Sequence, residues 1–329
     1  MNSLIIPLVC ALFSFLVVLY LTPWSIKYFR KIGLVVKDQN KKNKPLVPLS
    51  GGFPVLAGIF IGLNFYIFVR NFVYRDDSFL VFVFAGLSTL IMITLVGFID
   101  DLLIKRSKES SSGLKQWQKP LLTLAAAIPL MVVNAGTNLV ALPFFGSVNL
   151  GLVYPLILIP IGIVGAANMV NMLAGFNGLE TGLGIIITAS LGLYSFFNAN
   201  TMGSLFALMT FSSLLAFYLF NKTPAKILPG DSLTYLIGGS IAIIAILGNI
   251  EKAAIIVSIP FFIEFFLKLR SNFKAHSYGY EKNGKIHSLH NKIYSIPHFF
   301  SITGKFTEKQ IVYSIFLIQI IFALSIWIF

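Results

Sequence analysis

The stretch Phe79-Leu-Val-Phe-Val-Phe-Ala-Gly-Leu-Ser-Thr-Leu-Ile-Met-Ile-Thr-Leu-Val-Gly-Phe-Ile99-Asp100-Asp101 decides the fold. A run without a single charge ends directly in two adjacent carboxylates. About 20 apolar residues cross the core of a bilayer, so the run is long enough to span. A carboxylate in hydrocarbon costs roughly 2.5–3.5 kcal/mol on insertion scales. A pair of them at the end of a span therefore marks a task at the membrane–water boundary.

Working outward, the same pattern repeats. The chain has 329 residues, 57% hydrophobic and only 11% charged, where soluble domains carry about 25% charged residues. Mean hydropathy is +0.85. No polar stretch is long enough to bury a core of its own, so residues 1–329 read as one integral membrane domain. The fold class is an all-α polytopic membrane protein with about ten transmembrane helices. By that ruler the spans fall at roughly 4–22, 52–70, 79–99, 117–135, 152–168, 183–199, 202–220, 233–249, 252–269 and 310–328. The first lacks the basic flank and cleavage site of a secretory leader and is kept as a helix. Residues 137–150 alternate weakly and predict a small external hairpin or irregular loop. The lone cysteine, Cys10, excludes a disulfide within the chain.

Charge then orients the chain. The loops 22–51, 100–119, 168–182, 220–232 and 268–309 hold every one of the 25 Lys/Arg residues except Arg70, Arg75 and Lys252. With ten spans these loops share one side, which the positive-inside rule makes cytoplasmic. Topology accounts for the net charge of +13, and no nucleic-acid partner is needed to explain it.

The unusual polar residues all fall on that basic face. Asp100 and Asp101 read as a metal- or proton-handling pair, or as a solvated helix end beside Lys105, Arg106 and Lys108. In Asn168-Met-Val-Asn171-Met-Leu-Ala-Gly-Phe-Asn177-Gly178-Leu-Glu180, Asn168 and Asn171 share a helix face. An Asn carbonyl suits Mg²⁺, and the glycines admit close backbone approach to a phosphate. Interhelical hydrogen bonding is the plain alternative. Asp231, in Leu228-Pro-Gly-Asp-Ser232, is either an N-cap or a metal ligand. Lys119 either snorkels or neutralises a transferred phosphoryl group. The loop 268–309 holds all four histidines. Its His287-Ser-Leu-His290 spacing lacks the further ligands of a zinc site, and a basic lid over anionic ligand or lipid headgroups is the better reading.

These residues resemble the polyprenyl-phosphate N-acetylhexosamine-1-phosphate transferases, in particular the eukaryotic and archaeal branch that makes N-acetylglucosaminyl-diphosphodolichol. The resemblance rests on Gly97-Phe-Ile-Asp-Asp101, the Asn168–Gly182 segment and Pro229-Gly-Asp-Ser232, and it covers nearly the whole chain. It implies transfer of GlcNAc-1-phosphate from UDP-GlcNAc to dolichyl phosphate with release of UMP, the first lipid-linked step of protein N-glycosylation. It further implies Mg²⁺ (or Mn²⁺) on Asn171 and Asp231, catalytic roles for Asp100, Asp101 and Lys119, and substrate contacts from Asp38, Asn40, Asn168, Asn177, Gly178 and Glu180. Where relatives carry Arg- or His-rich clusters in the ninth loop this chain has Lys274 and His276. Where many carry a third carboxylate it has Ile104, and where some stack an aromatic on uracil it has Leu228. A phosphate monoester has its second pKa near 6, so the lipid nucleophile is largely dianionic at neutral pH and an obligatory base is not expected. Membrane lipid is the surrounding partner, and a homodimer is admitted. Composition and the short ninth loop point to an archaeon, hence a plasma-membrane enzyme. The alternatives are a bacterial-type undecaprenyl-phosphate transferase and, in a different class, a membrane transporter.

Overall fold

A computed structural model describes residues 2–107, 113–142 and 146–328; Lys108 of the basic stretch after the aspartate pair lies outside them. The elements run α1 (Asn2–Lys31), β1 (Val35–Lys37), β2 (Leu46–Pro48), α2 (Gly52–Tyr74), α3 (Leu80–Ser107), α4 (Gln118–Ala125), α5 (Ile128–Val132), β3 (Leu139–Leu142) and β4 (Gly146–Asn149). A π-helical turn at Tyr154–Leu158 then leads into α6 (Ile159–Met172), α7 (Leu179–Phe197), α8 (Thr201–Asn221), α9 (Gly230–Gly248), α10 (Glu251–Val257), α11 (Ile259–Leu269), β5 (Gly279–Lys282), β6 (Lys285–Ser288), α12 (His298–Ser301) and α13 (Glu308–Ser325).

Among the described residues eight helices are long and apolar enough to cross a membrane: α1, α2, α3, α6 with its π turn, α7, α8, α9 and α13. The two other expected spans are each broken in two. The stretch 117–135 turns at Ala126–Ala127 between α4 and α5, and 252–269 turns at Ser258 between α10 and α11. Pro129 and Pro260 explain both breaks, since each sits in the first turn of the second piece. Proline has no N–H to give to the preceding turn and is tolerated where a helix begins. A hydropathy window does not register that turn.

Among the described residues three antiparallel hairpins lie in the loops. The expected hairpin near 137–150 is β3–β4, paired from Leu139 with Asn149 to Leu142 with Gly146. The other two, β1–β2 and β5–β6, shape the first and ninth loops. The latter closes through Asn283-Gly284, both with positive φ, the signature of a two-residue hairpin turn.

The core is organised around α9. Every residue from Ser232 to Gly248 is buried, and α9 packs on α2, α3, α6, α7 and α8. A helix apolar all round belongs inside a bundle. By contrast α1 presents Tyr20, Trp24 and much of its length outward, as suits a lipid-facing helix. Two glycines let neighbouring backbones meet the start of α9. A Cβ on Gly97 would lie 2.5 Å from the Asp231 carbonyl carbon and 2.6 Å from Ser232 Cα. One on Gly52 would lie 2.5 Å from the Ser232 carbonyl carbon. Small residues at such crossings are what close helix packing in membranes requires.

Backbone cannot yield there as a side-chain tip would. Gly97→Ala is therefore expected to cost about 1–3 kcal/mol and to lower the thermal midpoint in detergent. Gly162→Ala, where a Cβ meets nothing within 4 Å, should leave the midpoint unchanged.

Candidate active site

The N-terminus of α9 builds the site. The first N–H groups of a helix have no partners within it, and here they are buried. Asp101, from the end of α3, supplies the acceptors. Its Oδ1 accepts from the Asp231 N–H at 2.8 Å, and its Oδ2 accepts from the Ser232 N–H at 3.3 Å and the Ser50 hydroxyl at 2.7 Å. Gly230 turns the chain at φ +68°, and a Cβ there would strike the Asp101 carboxylate. Asp231 is thus not the cap of its own helix, correcting one reading of the sequence. The cap comes from α3, and the Asp231 carboxylate borders a cavity instead.

That carboxylate meets Lys119, Asn171 and the Asp100 carboxyl group. Lys119 Nζ lies 2.6 Å from Asp231 Oδ2 and 2.5 Å from Asp100 Oδ2. The Asn171 side-chain amide donates to Asp231 Oδ2 at 2.9 Å. Asp100 is fully buried and also accepts from the Leu114 N–H. The adjacent aspartates therefore face different ways, Asp100 towards Lys119 and Asp101 towards α9. Asp100 and Asp231 thus share the one ammonium of Lys119.

The donor set suits a hard divalent ion. Mg²⁺ takes oxygen ligands, usually one or two carboxylates with substrate phosphates and water. The Asp231 carboxylate and, with its amide turned over, the Asn171 carbonyl are such ligands, and both border the cavity. Among the described residues no group of three His, Cys, Asp or Glu is arranged to hold a metal by itself. An ion here would thus need substrate or solvent oxygens.

The cavity measures about 800 Å³, ample for a nucleotide sugar. Asp38, Asp101, Lys119, Asn168, Asn171, Asn177, Glu180, Asp231 and His276 border it. Asn168 is held by the Val164 carbonyl at 2.8 Å and by Thr123 Oγ1 at 3.3 Å. Asn177 donates through its side chain to Asp38 Oδ2 at 2.9 Å and through its N–H to Glu308 Oε1 at 3.0 Å. Lys41 pairs with Glu308. Glu180 accepts from the Gly175 N–H at 2.7 Å with Oε1, while its buried Oε2 has no hydrogen-bond partner. An orphaned buried acceptor is costly, and it suits a substrate N–H.

Four expected site residues do not border the cavity: Asp100, which meets it only through Lys119, and three expected substrate contacts. Asn40 is a stitch between loops, donating to the Gly175 carbonyl at 2.6 Å and accepting from the Gly279 N–H at 3.0 Å. Gly178 turns the chain into α7 at φ +83°, against Tyr218 and Lys222. Lys274 is exposed at the surface of the ninth loop. In its place the cavity has Lys268, buried in α11, together with Lys37, Tyr278 and Phe273. Lys268 was legible as half of Glu264-x-x-x-Lys268, an i, i+4 pair in an otherwise apolar helix.

His276 stacks on Tyr278 with ring centroids 4.8 Å apart. Burial, and then the charge of Lys268 and the neighbouring His290, hold its pKa below the ordinary value. His298 lies beneath it, donating from Nε2 to the His276 carbonyl at 2.9 Å and accepting the Tyr294 N–H at Nδ1 at 3.2 Å. Burial pushes the His298 ring down to about 4. A ring kept neutral by the fold stabilises it fully above the unfolded value near 6.5. That contribution is lost as pH falls from about 6.5 towards about 4. The wild-type thermal midpoint should fall across this window, by at most about 1.4 kcal/mol per pH unit from this group. His298→Gln, which keeps a donor for the His276 carbonyl, should flatten the acid limb.

Comparison with known proteins agrees with this geometry. The profile described as "Glycosyl transferase family 4" matches residues 83–249, which run from α3 to the end of α9. A relative from Saccharolobus solfataricus is 35% identical over 95% of this chain and 93% of its own length. One from Sulfolobus acidocaldarius is 33% identical over 99% and 97%. Both bear the provisional name UDP-N-acetylglucosamine–dolichyl-phosphate N-acetylglucosaminephosphotransferase. A phospho-N-acetylmuramoyl-pentapeptide-transferase from Staphylococcus carnosus is 30% identical over 78% of this chain and 81% of its own. Similarity of this extent to transferases, with none of these relatives a transporter, leaves the transporter alternative without support. The chain belongs to glycosyl transferase family 4.

Proposed function

We propose that this protein transfers GlcNAc-1-phosphate from UDP-GlcNAc to dolichyl phosphate, giving GlcNAc-diphosphodolichol and UMP. The observation that carries this is the convergence of Asp231, Asn171 and Lys119 on a nucleotide-sized cavity at the ends of apolar helices, with buried Asp100 holding Lys119. The near-full-length similarity to two relatives named for this reaction supports the choice of substrates.

In the reaction an oxygen of the lipid phosphate attacks the sugar-bearing phosphorus of the donor. A new P–O bond forms, the bond to the bridging oxygen breaks, and UMP leaves with that oxygen. Such transfers need positioning and charge neutralisation more than covalent help. Asn171 and Asp231 would hold Mg²⁺, which supplies Lewis-acid neutralisation of the diphosphate when bound. Lys119, steadied by Asp100, neutralises phosphoryl oxygens from the other side. Glu180 Oε2 accepts from a donor N–H, either the uracil imide or the sugar acetamide. Asn177 and Asp38 form the wall beside it. Leu228 borders the cavity where an aromatic would stack, so base recognition rests on edge contacts.

Asp101 has both oxygens engaged by the start of α9 and by Ser50, which makes it a positioning residue for Asp231 rather than a base. The proposed setting is an archaeal plasma membrane with the active face cytoplasmic. There α4–α5 and α10–α11 act as two broken spans that complete ten, and the basic loops meet the anionic substrates.

Purified protein with sugar-labelled UDP-GlcNAc, dolichyl phosphate and Mg²⁺ should yield label in organic-extractable lipid with matching UMP. EDTA should abolish it, and Asp231→Asn should lower it at least a hundredfold. Label appearing only with undecaprenyl phosphate or with UDP-MurNAc-pentapeptide would move the protein to the bacterial-type branch. Absence of transfer with any pair, in folded protein, would refute the reading.

Asp101→Asn should lower both the thermal midpoint, through loss of about 1–2 kcal/mol of helix capping, and the turnover rate. The shape of the pH–rate profile above neutrality should stay unchanged. An unchanged midpoint with a displaced profile would instead mark Asp101 as a proton acceptor.

A further inference from the structure

The substrates bring more negative charge to the cavity than Lys119 can offset, because Lys119 is already divided between Asp100 and Asp231. The cavity borders two other lysines, Lys37 and Lys268. Lys37 is exposed, whereas Lys268 is 94% buried, at 6% relative exposure. A buried ammonium is retained where it is paired and hydrogen-bonded, and the partners of Lys268 are specific. It donates to the Ala275 carbonyl at 2.6 Å and lies 3.8 Å from Glu264 Oε1. An ammonium has three donors, and of these two contacts only that to Ala275 is at hydrogen-bond distance, so N–H capacity remains for the cavity that Lys268 borders.

Glu264 is fully buried and does more than balance that charge. Its Oε1 accepts from the Ser295 hydroxyl at 2.6 Å and lies 3.5 Å from the Ser277 hydroxyl. Its Oε2 accepts from the Ile296 N–H at 2.7 Å. One carboxylate on α11 thus fixes Lys268 together with the two ends of the ninth loop, residues 277 and 295–296. The same contacts set the strip Ala275–Tyr278 that forms a cavity wall.

We infer that Lys268 is a binding residue for a substrate phosphate oxyanion, and that Glu264 is the positioning residue that aims it. This rests on the proposed transfer reaction. The oxyanion belongs either to the donor diphosphate or to the lipid phosphate, two sources of one chemistry. A purely structural Lys268 would serve only to tie the Ala275 carbonyl to α11.

The test uses full-length protein in detergent, with KM measured for each substrate, kcat, thermal midpoint and calorimetric titration with UMP. In Lys268→Gln the amide keeps a donor for Ala275 but removes the charge. Loss of one charge-assisted contact should raise one KM roughly 10- to 100-fold and leave the other within about twofold. A rise for UDP-GlcNAc with weakened UMP binding assigns the donor diphosphate. A rise for dolichyl phosphate with UMP binding unchanged assigns the lipid phosphate. Lys268→Arg should recover most of the loss. Glu264→Gln should raise the same KM, by about threefold or more, and add nothing in the Lys268→Gln background. Both KM values unchanged within twofold, whatever happens to the midpoint, would overturn the inference. So would a Glu264→Gln effect that persists undiminished in the double variant. Should Lys268→Gln fail to fold, the KM and UMP values of Glu264→Gln and Lys268→Arg decide in the same way. If the wild-type protein transfers no label at all, the transfer reading fails separately. Titration of wild type and Glu264→Gln with UMP and with dolichyl phosphate then tests the oxyanion site alone, and equal affinities for both ligands would overturn it.

Discussion

The structure depends on one exchange of needs at the start of α9. That helix is buried along its length, so the N–H groups of its first turn cannot be satisfied by water. A carboxylate at the end of α3 is likewise deprived of water, since Asp101 is fully buried. Each removes the other's desolvation penalty: Asp101 receives the N–H groups of Asp231 and Ser232 and sits on the positive end of the helix dipole. Neither half would be tolerable alone. Gly52, Gly97 and Gly230 bring the backbones close enough for that exchange, and each does so by having no Cβ.

The capping geometry releases Asp231 for chemistry. With its own backbone N–H taken by Asp101, Asp231 projects from the first turn of α9 into the cavity, where Lys119 and Asn171 meet it. The loops then enclose the space on the same end of the bundle. The first loop contributes Asp38, the α6–α7 connection contributes Asn177, and the ninth loop contributes His276. They are tied to one another by Asn40 and by the Asp38–Asn177 bond. Breaking α4–α5 and α10–α11 near proline gives short helical pieces whose ends carry Lys119 and Lys268 to the cavity.

Much of this was legible before any coordinates. Length and hydropathy identified the long spans, and the run into Asp100-Asp101 located the face on which the polar residues gather. What sequence could not show was direction. Asp100 and Asp101 are neighbours in the chain, yet successive helix positions differ by about 100°, so one meets Lys119 and the other meets α9. Nothing in the dipeptide says which. Lys274 and Lys268 present the same difficulty. Lys274 stands in a polar loop and draws attention, while Lys268 is hidden in an apolar helix and is recognisable only through Glu264 four residues earlier. Hydropathy averaged over a span's length hides the turns at Ala126–Ala127 and Ser258, so ten continuous spans are read where eight stand among the described residues. Two of the three hairpins escaped notice because their strands are three or four residues long, although Asn283-Gly284 is a strong turn signal.

The cluster at the cavity floor is not a stability device. Asp100 and Asp231 share one ammonium, that of Lys119, and such an arrangement leaves the protein by itself short of positive charge. A core chosen for stability would replace these groups with apolar ones of similar volume. Local violations of the rules that otherwise hold throughout the fold are expected where function resides. Here the violation has a definite sign. A surplus of carboxylate at Asp231 invites a cation, while the orphaned Oε2 of Glu180 invites a donor and the remaining N–H of Lys268 invites an anion. A cationic metal together with a nucleotide diphosphate that also carries N–H groups answers all three. The unmet polar capacity of the cavity is therefore complementary to the substrates proposed for it.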